Sequence, residues 1–376
     1  MSWRRRGRQP ATSVAAAPIG RPAAQAPAPL VAEAPAGDGP LRIAVVVPAF
    51  RRGSGGHTTI ANLVRGLEAR GHRLSLWIDD PAKASGGAGA FRSMFGPFAA
   101  PVADDLSAFS GADVALATGW QTVPSVLGLR GCGARAYLVQ DHEPEFYGAS
   151  VERLWAEDSY RHGLHCVTAG QWLAELVGER YGATATAFDL GIDHETYRPG
   201  DRPRHEDEVL FYARRSTPRR AVPLGLLALE ELLRIRPGTT VALFGEAQAE
   251  STLPFPTRQL GVLAGEELAD AYRGAAAGMV LSLTNHSLVA QEMAACGLPA
   301  VELDGPSTRM AFGGDSGITL AEPTPAALAT ALALLLDDPA RRAELGDRAA
   351  AWARERTWDA AATQVEAGLR SALAER

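Results

Sequence analysis

Residues 41–79 read LRIAVVVPAFRRGSGGHTTIANLVRGLEARGHRLSLWID. Leu41 to Val47 form an unbroken apolar run of strand length, Thr58 to Arg70 carry the pattern of an amphipathic helix, and Arg73 to Ile78 return to strand. That is one strand–helix–strand unit, and its continuous apolar first strand predicts a parallel sheet covered on both faces. Working outward, strands are expected at Val114–Ala117, Ala136–Val139, His165–Val167 and Thr184–Phe188. Residues 197–208, YRPGDRPRHEDE, are proline-rich, charged and aperiodic, which predicts a linker. Alternation then restarts, with strands at Val209–Ala213, Val241–Phe244, Met279–Leu283 and Ala300–Leu303. Helices are expected near Ala221–Arg236, Glu266–Ala277 and Ser287–Cys296, and the chain closes in helices from Thr324 to Leu373. The fold class is α/β: two doubly wound, Rossmann-like lobes with an interdomain cleft, over residues 41–196 and 209–356, with residues 357–376 as a closing helical segment.

Composition excludes several classes. The chain has 376 residues and a net charge of −6, and its three cysteines, Cys132, Cys166 and Cys296, are odd in number and far apart, which fits a reducing compartment and gives no zinc spacing. No apolar run is long enough to cross a bilayer. Residues 1–40 hold seven prolines, eleven alanines, five arginines and two acids, and read as a disordered basic tail able to touch an acidic membrane surface weakly. Arg4 to Arg6 resemble the start of a twin-arginine signal, but Pro18, Pro22, Pro27 and Pro29 interrupt the apolar segment that should follow. Without this tail the remainder carries −9, which excludes bulk attraction to nucleic acid. A cytoplasmic protein is expected.

Ligands of open α/β sheets bind beyond the carboxyl ends of the strands. Four turns there carry chemistry. Arg51–Thr58 contains Gly55, Gly56 and His57 in a loop that matches neither a dinucleotide fingerprint nor a Walker A loop, yet its glycines permit close approach of a ligand. Arg214, Arg215, Arg219 and Arg220 follow a strand end directly, a placement suited to gripping a diphosphate. Ser287 is a good N-cap for the helix carrying Glu292, so the amides after His286 would face the crevice. Gln140–Tyr147 interleaves His142, Glu143 and Glu145 with Phe146 and Tyr147. That mixture suits a sugar's hydroxyls and C–H face better than a metal, since no HExxH or D-x-D accompanies it.

In this order, the Gly-Gly loop, Gly191-Ile192-Asp193, Phe211–Arg214 with Arg219, Gln291–Pro299 and Thr357-Trp358-Asp359 resemble retaining glycosyltransferases of family 4, over residues 41–373. Gln140–Tyr147 and Phe211–Arg219 look most like the WsaF-type rhamnosyltransferase branch. The resemblance implies a GT-B fold with an acceptor lobe, a donor lobe and a last helix crossing back to the first. It implies that Arg214 and Arg219 neutralise the donor diphosphate and that Glu292 holds the ribose. His286, Ser287, Leu288 and Val289 would present amides to the phosphates. Gly55 and Gly56 match the N-terminal glycine pair. Thr284 stands where the family has a glutamate that contacts the donor sugar, which points away from glucosyl or mannosyl donors and is consistent with a 6-deoxy sugar such as the rhamnose of dTDP-rhamnose. The acceptor would be a glycan or lipid-linked sugar, with no metal and no cofactor beyond the nucleotide-sugar substrate. Rival readings are a sugar-nucleotide epimerase using His142, Glu143 and Glu145, and a non-catalytic sugar-binding protein. A dehydrogenase lacks its fingerprint in both lobes.

Overall fold

A computed structural model describes residues 26–31, 39–201, 203–247 and 253–376. Residues 1–25 and 32–38, most of the segment read as a tail, lie outside the described residues. The first sheet contains β1 (Arg42–Pro48), β2 (Arg73–Asp79), β3 (Val102–Ala103), β4 (Ala112–Ala117), β5 (Cys132–Val139), β6 (His165–Ala169) and β7 (Ala185–Phe188). They are all parallel, in the order β3-β2-β1-β4-β5-β6-β7. Connecting them are α1 (Gly55–Ala69), α2 (Gly87–Phe95), α3 (Val123–Gly128), α4 (Val151–Ser159) and α5 (Gln171–Tyr181). Central β1 is buried at Ile43–Val47, as an apolar run covered on both faces must be.

The second sheet contains β8 (His205–Tyr212), β9 (Thr240–Phe244), β10 (Arg258–Gly261), β11 (Ala275–Met279), β12 (Ala300–Leu303) and β13 (Thr319–Ala321). It too is parallel, in the order β10-β9-β8-β11-β12-β13. Its helices are α6 (Val222–Ile235), α7 (Gly265–Gly274), α8 (Leu288–Ala295), α9 (Pro306–Phe312), α10 (Pro325–Asp337) and α11 (Pro339–Arg354). The last helix, α12 (Trp358–Ala374), returns to the first lobe, where Ala361, Val365, Leu369 and Ala372 join that lobe's core. At the double crossing the Ile192 N–H donates to the Arg356 carbonyl at 3.0 Å. The two strands of chain pass so closely that a Cβ on Gly191 would stand 2.5 Å from the Trp358 nitrogen.

Three expectations are corrected. Residues 26–31 are not a free tail: the Ala28 N–H donates to the Leu127 carbonyl and the Val31 N–H to the Cys132 carbonyl, both at 2.9 Å, and Arg135 grips the Ala28 carbonyl. The linker ends early because β8 already begins at His205. Its charged residues are strand residues held by ion pairs: Glu206 with Arg342, Asp207 with Arg236, Glu208 with Arg258. Finally, Ala275–Ala277 leave the expected helix and open β11. Alanine favours helices, but this strand needs small residues because α8 packs against it; a Cβ on Gly278 would sit 2.5 Å from the Met293 sulfur.

Because Leu369 is fully buried in the first lobe's core, Leu369→Ala should lower the unfolding free energy by about 2–5 kcal/mol. Urea denaturation followed by circular dichroism measures this, and an unchanged midpoint would show that α12 does not complete that lobe.

Candidate active site

In each sheet the chain order reverses next to the first strand of the lobe, between β1 and β4 and between β8 and β11. Such switch points open a crevice at the strands' carboxyl ends. The turns leaving β1, β5, β8 and β11 meet across this crevice. The Arg214 Nη1 donates to the Gly53 carbonyl at 2.9 Å. Asn285 donates its side-chain amide to the carbonyls of Gln140 at 3.0 Å and Ala169 at 2.8 Å, and its backbone N–H to Asp141 at 3.0 Å. Ser307 completes Asn285 by donating to its Oδ1 at 2.7 Å.

The four arginines after β8 divide by role. Arg214 faces the Gly53 turn, and Arg215 is exposed. Arg219 stacks its guanidinium 4.2 Å from the centre of the Phe146 ring and stands with Nε 3.0 Å from Asp141 Oδ2. That Nε–H is buried yet makes no hydrogen bond among the described residues. Burial lowers the pKa of Arg219, and Asp141 opposes the shift. Arg220 turns inward instead: buried, it donates to Ser282 Oγ at 2.6 Å. Ser282 in turn donates to Glu302, whose carboxyl also accepts the Leu303 N–H; burial pushes it up to about 7. This pair fastens β12 to the turn beneath the crevice. It is structural, and Glu302 was not foreseen.

The turn into α8 is equally well defined. Ser287 Oγ accepts the Val289 N–H at 3.3 Å and caps the helix. His286 is buried against Phe312 at 5.3 Å, and its pKa falls to about 4, first through burial and then through Arg220, so it is neutral at pH 7. Leu288 packs against the first lobe's core and Val289 against the second's. Glu292 is half-buried, accepts the Tyr272 hydroxyl at 3.2 Å, and is pushed up to about 8 by burial. Thr284 donates to Asp141 Oδ2 at 3.1 Å. Although Thr284 itself is neutral, the opposite lobe brings a carboxylate to this wall.

In the first lobe Gly55 and Gly56 open α1, with Gly56 against Gln140, whose amide donates to its carbonyl at 3.2 Å. His57 packs among Phe50, Phe91 and Phe95 and pairs Nδ1 with Ser54 Oγ at 2.8 Å; burial lowers its pKa to about 4. Two residues expected to face a sugar do not. His142 is fully buried, stacked near Tyr160 and Tyr181, with Nε2 2.7 Å from the Tyr181 hydroxyl. Glu143 is buried and accepts the Trp120 N–H and the Tyr137 hydroxyl, each at 2.8 Å; burial pushes it up to about 7. Only Glu145 of the three reaches solvent, with Oε1 3.3 Å from His142 Nδ1. The loop presents Asp141 to the crevice, a residue sequence reasoning passed over although it stands directly beyond a strand end. Among the described residues no group of three or more His, Cys, Asp or Glu is placed to hold a metal ion.

Comparison with known proteins bears on this site. The family description "WsaF, C-terminal domain" matches residues 207–333. The chain is 32% identical over 272 residues to the O-antigen biosynthesis protein RfbC of Myxococcus xanthus, covering 71% of this chain and 21% of that protein. It is 33% identical over 220 residues to D-inositol 3-phosphate glycosyltransferase 2 of Catenulispora acidiphila, covering 50% of this chain and 51% of the relative. The chain thus spans about a fifth of the one relative and half of the other. Among solved structures it superposes on Anabaena HepE with UDP and glucose at a TM-score of 0.68 and 15% identity, covering 88% of this chain and all of that one. Sucrose-phosphate synthase from Thermosynechococcus elongatus superposes at 0.66 and 16%, covering 89% and 100%. The fold is GT-B, as the two facing lobes require.

Asn285→Ala removes three side-chain hydrogen bonds and strands two buried carbonyls, which should cost about 1–3 kcal/mol and loosen the lobes. Small-angle scattering should show a larger radius of gyration than wild type; an identical profile with unchanged stability would show that Asn285 does not hold the lobes together.

Proposed function

We propose that this chain is a retaining glycosyltransferase that moves L-rhamnose from dTDP-rhamnose to a hydroxyl of a glycan or lipid-linked acceptor, without a metal. The single observation that carries the reading is the half-buried Arg219 guanidinium at the interlobe crevice, ion-paired through Nε to Asp141 of the opposite lobe, in a GT-B fold whose Arg214 and α8 N-terminus lie on the same lobe as Arg219. A guanidinium in that place can grip the oxygens of a diphosphate. The names of the relatives, an O-antigen biosynthesis protein and inositol phosphate glycosyltransferases, support glycosyl transfer. HepE bound to UDP and glucose supports a nucleotide sugar as substrate. Rhamnose rests on the likeness of Gln140–Tyr147 and Phe211–Arg219 to the WsaF-type branch.

In this reading the bond from the anomeric carbon to the diphosphate breaks as Arg214, Arg219 and the amides after His286 take up the developing negative charge. Fixed cations in a crevice do what a metal would otherwise do. The acceptor hydroxyl attacks on the face the diphosphate leaves, and a phosphate oxygen takes its proton, so configuration is retained and no side-chain base is required. Asp141 holds Arg219 and Thr284 in register before the donor arrives. Glu292 accepts the 3′-hydroxyl of the donor's deoxyribose. The epimerase reading keeps only Glu145 of its three groups, because His142 and Glu143 are already buried in hydrogen bonds within the first lobe. No helix among the described residues is long and apolar enough to cross a membrane, and the three cysteines are buried and unpaired, as suits the cytoplasm.

Purified protein in EDTA should release dTDP from dTDP-rhamnose, with mixed acceptors, faster than UDP from UDP-glucose or GDP from GDP-mannose. A reversed ranking removes the rhamnosyl assignment, and activity that returns only with magnesium or manganese removes metal independence.

Arg214→Ala and Arg219→Ala should stay folded and each lose about 1.5–3 kcal/mol of transition-state stabilisation, a fall in kcat/KM of about 10- to 150-fold. Wild-type turnover in either variant would sink their assigned roles.

Glu292 supplies a pH test. Its carboxyl, raised to about 8, favours the protonated form in the unliganded protein, so its contribution to stability is present at low pH and is lost as pH rises through about 8. The ionised form is the better acceptor for the 3′-hydroxyl of the deoxyribose, so dTDP should bind more tightly as pH rises from 6.5 to 9. Calorimetric titration of Glu292→Gln should give weaker and flatter binding; a slope equal to wild type would exclude Glu292 as the titrating group.

A further inference from the structure

Four of the large apolar side chains exposed on the described surface fall within ten residues of one another: Phe146, Val151, Leu154 and Trp155. Others, such as Leu227, Val262, Met310 and Leu334, lie on separate elements. The cluster is not an ordinary helix face turned to solvent, because it continues into the crevice through aromatic contacts. Phe146 lies beneath the Arg219 guanidinium. Next to it, the Tyr147 ring stands 6.1 Å from Trp120 at 82°, with the Trp120 indole N–H donating to the Tyr147 hydroxyl at 3.1 Å. Trp120 then meets Trp155 on α4 at 6.3 Å. The result is a shelf of three accessible rings, Phe146, Tyr147 and Trp155, leading from Arg219 outward over the first lobe, with Trp120 buried at 7% exposure as the support of Tyr147 and Trp155. Trp120 is anchored from below as well, since its backbone N–H is held by buried Glu143.

We propose that this shelf of Phe146, Tyr147 and Trp155, supported by buried Trp120, binds a neutral oligosaccharide acceptor of at least two sugar units, its terminal unit at Phe146 and its inner unit on Trp155. The inference rests on the glycosyl-transfer reading above and adds the acceptor class and the residues that read it. Two arguments select a glycan over a lipid surface. Aromatic faces stack on the C–H face of a pyranose, and carboxylates beside them accept its hydroxyls. Here Glu145 and Glu152 flank the rings, with Glu152 close enough to Tyr147 for its charge to raise the phenol's pKa. An acidic bilayer would meet repulsion instead: besides the buried Asp141 and Glu143, residues 141–158 carry Glu145, Glu152, Glu157 and Asp158, and their one arginine, Arg153, pairs with Glu157 at 3.5 Å. The length requirement follows from geometry. Tyr147 and Trp155 each pack on buried Trp120, at 6.1 and 6.3 Å, with no ring contact to each other among the described residues, so they offer separate seats to successive sugar units.

The test is direct binding, read apart from turnover. Full-length wild type, Trp155→Ala and Trp155→Phe are applied to an array of neutral bacterial O-polysaccharide fragments of one to five sugars, and to vesicles of phosphatidylethanolamine and phosphatidylglycerol. Wild type should bind fragments of two or more sugars at least tenfold more tightly than single sugars. Trp155→Ala should abolish that length preference, Trp155→Phe should restore most of it, and dTDP affinity should stay unchanged in both. The proposal is overturned by absence of wild-type binding to any fragment, by a length preference that survives in Trp155→Ala, or by vesicle binding that Trp155→Ala removes. Absence of donor turnover in wild type would refute the glycosyltransferase reading instead, and leaves the array result standing as evidence of a glycan-binding surface.

Discussion

Asn285 has every hydrogen-bonding group of its side chain and its backbone N–H satisfied, and two of its three hydrogen-bonding regions reach the opposite lobe. A buried amide with unmet partners would be costly, so the turn after β11 and the turns after β5 and β6 can pack only in the arrangement that meets them all. Everything else at the crevice inherits its position from this contact. Asp141 is fixed because it accepts the Asn285 N–H; Thr284 and Arg219 are fixed because they face Asp141. The α8 turn follows, since the His286 N–H donates to the same Ser307 hydroxyl that donates to Asn285.

The electrostatics of the crevice are divided by depth. The buried carboxyls Glu143 and Glu302 are each surrounded by donors from their own lobe and serve as fasteners. Arg219 is different in that its charge is partly desolvated and its ion-pair partner, Asp141, comes from the opposite lobe. A group in that condition binds an anion with little reorganisation. Arg220, only one residue later, has the opposite fate because the left-handed turn at Ala221, φ 42°, swings the chain into α6 and sends that side chain beneath the sheet.

Most of the fold was legible because parallel strands buried on both faces have little choice but to be apolar runs, and those of β1, β9 and β12 were located to within a residue or two. What failed did so for local reasons. Ala275–Ala277 carry helical propensity and are overruled by tertiary packing, since all three are fully buried, shared between the two core clusters of their lobe. The acids of β8 look like linker residues until their arginine partners, which come from distant helices and strands, are known. At the site, strand-end arginines and the α8 cap stand out in the sequence. Asp141 and Asn285 do not, because what distinguishes them is each other, and they are 144 residues apart. His142 misled for the mirror reason: the tyrosines that bury it come from β5's neighbours, α4's end and α5, and a histidine in a polar loop gives no hint of them.

The return of α12 to the first lobe has a consequence for how the chain is made. A ribosome releases the first lobe's seven strands long before it releases Ala361, Val365 and Leu369, which fill that lobe's core. Until then the sheet face that α12 covers stays apolar and unprotected, and the second lobe must fold in the interval between the two halves of its neighbour. The first domain to begin folding is therefore the last to finish, and the contacts that complete it are among those most distant in sequence, the kind that form slowly and leave intermediates open to aggregation.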